Sequence, residues 1–429
     1  MSARTTTRAC RDAGVMAAAI ALLLVIGGAA APVAGQTVAI VGGRAFPVSG
    51  PPIENATVLI VDGKIAAVGA NVAVPAGAER VDAKGQWVTP GLIHVSTRLG
   101  LAEIDLVDET VDAIAKGDRD VAAGFRSWEG INPESPLWAP ARNDGITSVV
   151  PLPGGGLISG QAALVDTAGS DRAAMIRRAP VVMVADFGQP AAGGSRARGE
   201  MLMRLRELLS DARTFSLRRD AFENAGTRTF AAGRMHLEAL ADVLAGRVPI
   251  LASVDRASDI DAALDLAAEF KLRIIVHGGA EAWKVAGRLA KAGVPVVTGA
   301  LGNVPSSFST LGARQENAAI LSQAGVRVIL ISDPGDTFRA RTIRQHAGNA
   351  VAYGLPWDEA LKAVTLTPAE VLGVGDTVGS LQPGRDGNVV VWDGDPFEFA
   401  THATHVFIRG RESRTPSRED LLTERYRKK

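Results

Sequence analysis

Cysteine is almost missing from this sequence: one in 429 residues, beside two tyrosines and six histidines. That cysteine, Cys10, precedes an apolar run from Val15 to about Ala31 and is not placed as a lipid-bearing cysteine would be. Arg4, Arg8 and Arg11 give the start a basic character, and Val33 and Gly35 supply small residues beyond the run. This layout predicts an export signal cleaved near Gln36 and a periplasmic or secreted chain. A retained anchor is the alternative, although the run falls short of the ~20 residues usual for a span. A chain without the signal holds no thiol, which excludes disulfides, thiolate metal ligands and cysteine nucleophiles.

Charge of one sign is also lacking. The 46 basic residues balance the 46 acidic ones, and loss of residues 1–35 leaves a net charge of about −2. Such a balance gives no electrostatic case for nucleic acid or an anionic membrane surface. No internal repeat or low-complexity tract stands out.

What is present is ample apolar material, 47% of the residues, with 47 glycines for sharp turns and short crossovers. The length predicts one large domain plus a smaller one. From Val38 to Val88 the pattern is short strands and turns, with Thr57–Val61 and Ile65–Gly69 flanking Asp62-Gly63, a strong hairpin signal. The same grammar returns at Asn388–Trp392 and Val406–Ile408. Each β-rich piece is too small for a core alone, which predicts that the two pack together.

Between them lie short, fully apolar, β-branched runs at 145–152, 181–185, 248–254, 272–277, 294–298 and 326–332. These read as strands buried on both faces. Helical stretches follow several of them, at 258–270, 281–292, 313–324 and 340–353. The polar stretch 186–236 predicts a long helix beginning near Glu200. Repeated strand–helix units predict parallel pairing with right-handed crossovers. The strand count favours a closed (β/α)₈ TIM-type barrel in an α/β chain, with an open doubly wound sheet as the alternative. The expected organisation is a β-sandwich from residues 36–89 plus 379–412, a barrel over 90–378, and a charged tail over 413–429.

Several motifs in order then resemble the amidohydrolase superfamily. Val88-Thr89-Pro90-Gly91-Leu92-Ile93 is similar to its entry into barrel strand 1. Val61–Ile65 and Gly379–Asp386 resemble its small β-sandwich, and Thr365-Leu366-Thr367-Pro368-Ala369 its closing helix. The nearest branch is the imidazolonepropionase-like one, over roughly residues 38 to 412. The resemblance implies hydrolysis of carbon–nitrogen bonds other than peptide bonds. In that family two histidines on strand 1 grip a divalent metal, further ligands come from strands 4, 5 and 6, and a strand-8 aspartate accepts a proton from the attacking water.

Carried over residue by residue, the strand-1 pair becomes Ser96 and Arg98, with His94 where the family has an aspartate. Serine is a poor metal ligand near neutrality, and a guanidinium repels a divalent ion. Leu251-Ala252-Ser253 offers no ligand at the strand-4 position, and Thr298-Gly299-Ala300 none at strand 6. His277 matches the strand-5 position and Asp333 the proton acceptor. Asp333 and His277 are therefore the candidate catalytic residues, and Arg98, Ser96 and His94 the candidate substrate-binding ones. Asp333 is the expected partner of Arg98 should that cation be buried. No metal ligand is assigned, and weakly held zinc is all that the resemblance implies as a cofactor.

The structural alternatives are a hydrogen-bonded histidine at 277 and an ordinary turn starter at Asp333-Pro334. Pro153-Gly154-Gly155-Gly156 lacks the ending of a phosphate-binding loop and reads as a mouth loop, beside Ser159-Gly160-Gln161. The acidic residues Glu103, Asp105, Asp108, Glu109 and Asp112 read as a solvated face, and His402 and His405 as surface residues. Two functions have support in the sequence: a carbon–nitrogen hydrolase, or a non-catalytic barrel that binds a small molecule or partners an intact homologue; a third, a secreted solute-binding protein, has no sequence feature of its own. A homo-oligomer fits either.

Overall fold

The computed structural model describes residues 36–427, apart from 116, 118–119, 189–196, 225 and 333–338. One compact unit runs from Thr37 onward. It contains two eight-stranded sheets.

The first sheet joins the two ends of the chain. Its strands are β1 (Thr37–Ala45), β2 (Ile53–Val61), β3 (Lys64–Gly69), β4 (Glu79–Asp82) and β5 (Trp87–Pro90). From the far end come β14 (Val389–Trp392), β15 (Ala403–Ile408) and β16 (Arg411–Glu412). Strand β1 changes partner along its length: Val38–Val41 pair with β4 and Arg44–Ala45 with β5. That switch folds the sheet over a core of Ile40, Ile60, Ile65, Val389 and Phe407 and makes the small β-sandwich. The expected hairpin forms between β2 and β3. Asp62 and Gly63 both take positive φ, 52° and 79°, as the tight turn demands.

The second sheet is the nearly closed barrel: β6 (Leu92–Thr97), β7 (Ile146–Pro151), β8 (Ile158–Asp166), β9 (Ile176–Asp186), β10 (Ile250–Val254), β11 (Ile274–Gly278), β12 (Val296–Thr298) and β13 (Val328–Leu330), hydrogen-bonded in that order. Each of the six apolar runs seen in the sequence overlaps one of these strands, and most begin a residue or two before it. One expectation needs correction. The barrel is not parallel throughout, because β8 runs antiparallel to both β7 and β9. Every residue of β8 is buried, so it shows no alternation, and its Ser159-Gly160-Gln161 reads as loop sequence.

Residues alternate between two cores. Ile250, Ile274, Val296 and Val328 pack outward against helices that include Ala257–Phe270 and Arg198–Leu217. Leu251, Ile275, Val297 and Ile329 fill the barrel. Val371, Leu372 and Val374 join that inner cluster, so the helix Leu366–Val371 and the turn after it plug one end of the barrel.

A buried carboxylate ties the barrel to the sandwich. Asp166, fully buried at the end of β8, accepts from Ser148 on β7 (2.9 Å), from Arg177 on β9 (2.8 Å) and from Arg409 after β15 (2.8 Å). Arg177 also reaches Asp386, which Lys64 meets from β3 at 2.8 Å. Removing one member of such a network leaves an uncompensated buried charge, at a cost of about 3–5 kcal/mol. Asp166→Ala is expected to lose stability on that scale in denaturant unfolding. A loss below about 1 kcal/mol would mean that the network contributes little.

Candidate active site

The C-terminal ends of barrel strands are where this fold displays function, and four of them carry a connected polar chain. Ser253 and His277 are neighbours in the β10–β11 ladder. They lie two residues beyond Leu251 and Ile275, which fill the barrel, so strand periodicity turns them the same way. The His277 Nδ1 lies 3.1 Å from the Ser253 hydroxyl, and its Nε2 lies 2.9 Å from the hydroxyl of Ser96 on β6. Across the barrel, His94 Nε2 lies 2.7 Å from the hydroxyl of Ser332, just beyond β13.

The backbone after β11 explains how the chain can crowd here. Gly278 has φ +91°, and a Cβ there would come within 2.6 Å of Asp255 Oδ1. Only glycine lets the turn after His277 pass so close to that carboxylate.

Burial sets the electrostatics. His94 and Ser96 have no exposed surface, and His277 is 9% exposed. Desolvation, joined by the nearby imidazoles of His346 and His277, pushes His94 down to about 3. Desolvation alone pushes His277 down to about 4. Both rings are thus neutral across ordinary pH. A neutral ring has one N–H, so His277 can accept from one serine while donating to the other. His94 faces three contacts: Ser332 Oγ, the Ser332 N–H at 3.1 Å and the Ser96 N–H at 3.2 Å. One tautomer cannot satisfy all three, but either tautomer keeps the bond to the Ser332 hydroxyl.

Other groups at these strand ends escape a motif-based reading. Asp186, at the end of β9, is raised to about 6 by burial and by the charge of Asp255, even though the Gly188 N–H favours its ionised form. Asp255, following β10, is raised by burial and by Glu281, against the pull of the Ala280 N–H. His346, on the helix Ile343–Ala352, accepts from the N–H groups of Ala300 and Leu301 after β12, at 3.2 and 3.4 Å. A carboxylate directly after an apolar strand was the available signal for both aspartates. Ser253, Ser332 and His346 carried none.

Among the expected residues, the structure brings together His94, Ser96 and His277. Arg98 is not buried. Its side chain is 30% exposed, with Asp105 of the acidic run 3.9 Å away. Asp333 lies outside the described residues, and with it the expected Arg98–Asp333 pair. Gln161 donates to the Ala123 carbonyl at 3.0 Å within the β8 region. His402 is exposed and His405 pairs with Glu412.

The family's metal does not fit the described residues. The Nε2 atoms of His94 and His277 already meet serine hydroxyls, and a hydroxyl and a guanidinium stand where two imidazoles would grip the ion. Among the described residues no group of three or more histidine, cysteine or carboxylate side chains is arranged to hold one.

Known proteins share this architecture, at 24–27% sequence identity. The model of the Amidohydrolase family matches residues 254–413. The amidohydrolase tasK of Hapsidospora irregularis is 24% identical over 389 residues, 83% of this chain, although the chain spans only 39% of that protein. The imidazolonepropionase of Acidiphilium cryptum is 26% identical over 368 residues, covering 81% of this chain and 89% of its own length. A crystal structure of an amidohydrolase from Thermotoga maritima superposes with a TM-score of 0.80 at 27% identity, covering 87% of this chain and 99% of that one. The chain belongs to the amidohydrolase superfamily. Within it, the chain sits on the imidazolonepropionase-like branch, as the motifs from Pro90 to Ile93 and from Gly379 to Asp386 implied.

The two histidines make the amidohydrolase fold acid-sensitive. Their folded-state pKa values lie below the ordinary 6.5, so the unfolded chain takes up protons first as pH falls. Stability is therefore full above about pH 6.5 and falls towards pH 4, by up to about 1.4 kcal/mol per pH unit for each histidine. Urea unfolding at stepped pH checks this, and His277→Gln should flatten the slope. An unchanged slope in that variant would remove His277 from the account.

Proposed function

We propose that this chain hydrolyses carbon–nitrogen bonds, other than peptide bonds, in small molecules bound at the C-terminal mouth of its barrel. The observation that carries this reading is His277. A neutral imidazole sits at a strand end, bonded on both sides to serine hydroxyls and able to take and return a proton. The family resemblance supplies the bond class. Its own metal mechanism has no support in Ser96 and Arg98, so proton handling by the protein carries the weight.

Three further assignments belong to the proposal. Arg98, a partly exposed cation one residue beyond β6, holds an anionic group of the substrate. Asp333 follows Ser332 in sequence, where the family places its proton acceptor, and serves as a second proton-handling group. His94 fixes the floor of the site through Ser332 rather than by touching substrate.

The test is turnover by purified protein of a panel of lactams, cyclic ureides, imidazolones and N-acyl amino acids, read as newly released amine or carboxylate. At least one class should be cleaved. His277→Gln should lower kcat/KM by about 100-fold or more, the usual share of a positioned base, with the fold retained by circular dichroism. If no member of the panel is cleaved, the hydrolase reading is contradicted.

A further inference from the structure

Ser96 stands at one of the two strand-1 positions where the family resemblance places a histidine, and its hydroxyl is the end of the His277 relay. We propose that Ser96 is a nucleophile, activated by His277 and oriented through Ser253, which forms a covalent acyl-enzyme during hydrolysis. This rests on the hydrolase reading above and gives it a chemical course that needs no metal.

The geometry has the parts of a nucleophile–base–orienter set. Ser96 Oγ lies 2.9 Å from His277 Nε2, and Ser253 Oγ lies 3.1 Å from His277 Nδ1. These are hydrogen-bond distances for a base and for the group that fixes its tautomer. With Nδ1–H donated to Ser253, Nε2 is free to accept the Ser96 proton. The three residues come from separate strands, β6, β10 and β11, so packing of the barrel fixes their relative positions. Exposure rises along the chain from Ser96 at 0% to His277 at 9% and then to half-buried Ser253. Ser96 is therefore the innermost member of the set and Ser253 the outermost, and the serine is shielded from water.

The step balances without a co-reactant other than water. The Ser96 proton passes to His277 Nε2 as Oγ bonds to the carbonyl carbon. Collapse of the adduct breaks the carbon–nitrogen bond, and the proton leaves with the departing nitrogen. Water then gives a proton to His277 and its oxygen to the acyl carbon. The carboxylic acid departs, and the proton returns to Ser96.

Methanesulfonyl fluoride, one of the smallest serine reagents, tests this in the presence of a chelator. Oγ displaces fluoride and the proton goes to His277. The expected result is one methanesulfonyl group per chain, mapped by peptide mass spectrometry to Ser96. Ser96→Ala should abolish it, and His277→Gln should slow it by about tenfold or more. Ser253→Ala should slow labelling and Ser253→Thr, which keeps the hydroxyl, should restore it. As a second variant, Ser96→Cys should be alkylated by iodoacetamide at neutral pH far faster than in the His277→Gln background. No label, or label elsewhere, overturns the nucleophile. Substrate turnover that persists in Ser96→Ala overturns it too while leaving the hydrolase reading intact, whereas absence of any turnover strikes that reading itself.

Discussion

The contact between His94 and Ser332 closes the ring on which the site stands. Among the described residues the barrel's ladder runs unbroken from β6 round to β13, but no ladder joins β13 back to β6. At that seam the 2.7 Å bond from His94 to the Ser332 hydroxyl spans the gap, at no exposure to water. A second link, from Ser96 to His277, crosses between β6 and β11. Buried polar groups left unpaired are costly, so these bonds hold the strand ends in one arrangement. At the positions where the family resemblance places two metal-gripping histidines this chain has Ser96 and Arg98, and hydrogen bonds between histidines and serines join the strand ends.

The same burial that strengthens these bonds decides the charge state of the site. Imidazoles closed off from water stay neutral, and carboxyl groups such as Asp186 hold their protons to higher pH. The result is a mouth with two neutral imidazoles at its centre, the carboxyl groups of Asp186 and Asp255 beside them and Arg98 at its edge. A separate charged network, the clamp of Asp166, Arg177, Arg409 and Asp386, fastens sandwich to barrel. Site and clamp are thus separate networks: one is built from buried imidazoles and hydroxyls, the other from ion pairs that fix the frame around it.

Much of this was legible in the sequence because it is written locally. The Asp62-Gly63 turn, the six apolar strands and the Gly379–Asp386 stretch each carry a short-range signal, and the amidohydrolase motifs set their order. The loss of the strand-1 histidine pair was equally plain from Ser96 and Arg98. What stayed hidden depends on partners distant in the chain. Ser332 is 238 residues from His94, and Ser96 is 181 from His277. A serine has no motif value until its neighbour across the barrel is known. Strand β8 escaped for a related reason: buried on both faces and antiparallel, it has neither alternation nor the strand–helix rhythm around it.

The measurement closest to the centre of this account is a double-mutant cycle on the seam, with His94→Ala and Ser332→Ala made singly and together. Coupled groups in contact show interaction energies of about 0.5–3 kcal/mol, and independent ones add to within about 0.5 kcal/mol. The account predicts coupling of about 1–2 kcal/mol in urea unfolding at neutral pH. Simple additivity would contradict it, since the hydrogen bond would then not be what holds the barrel shut.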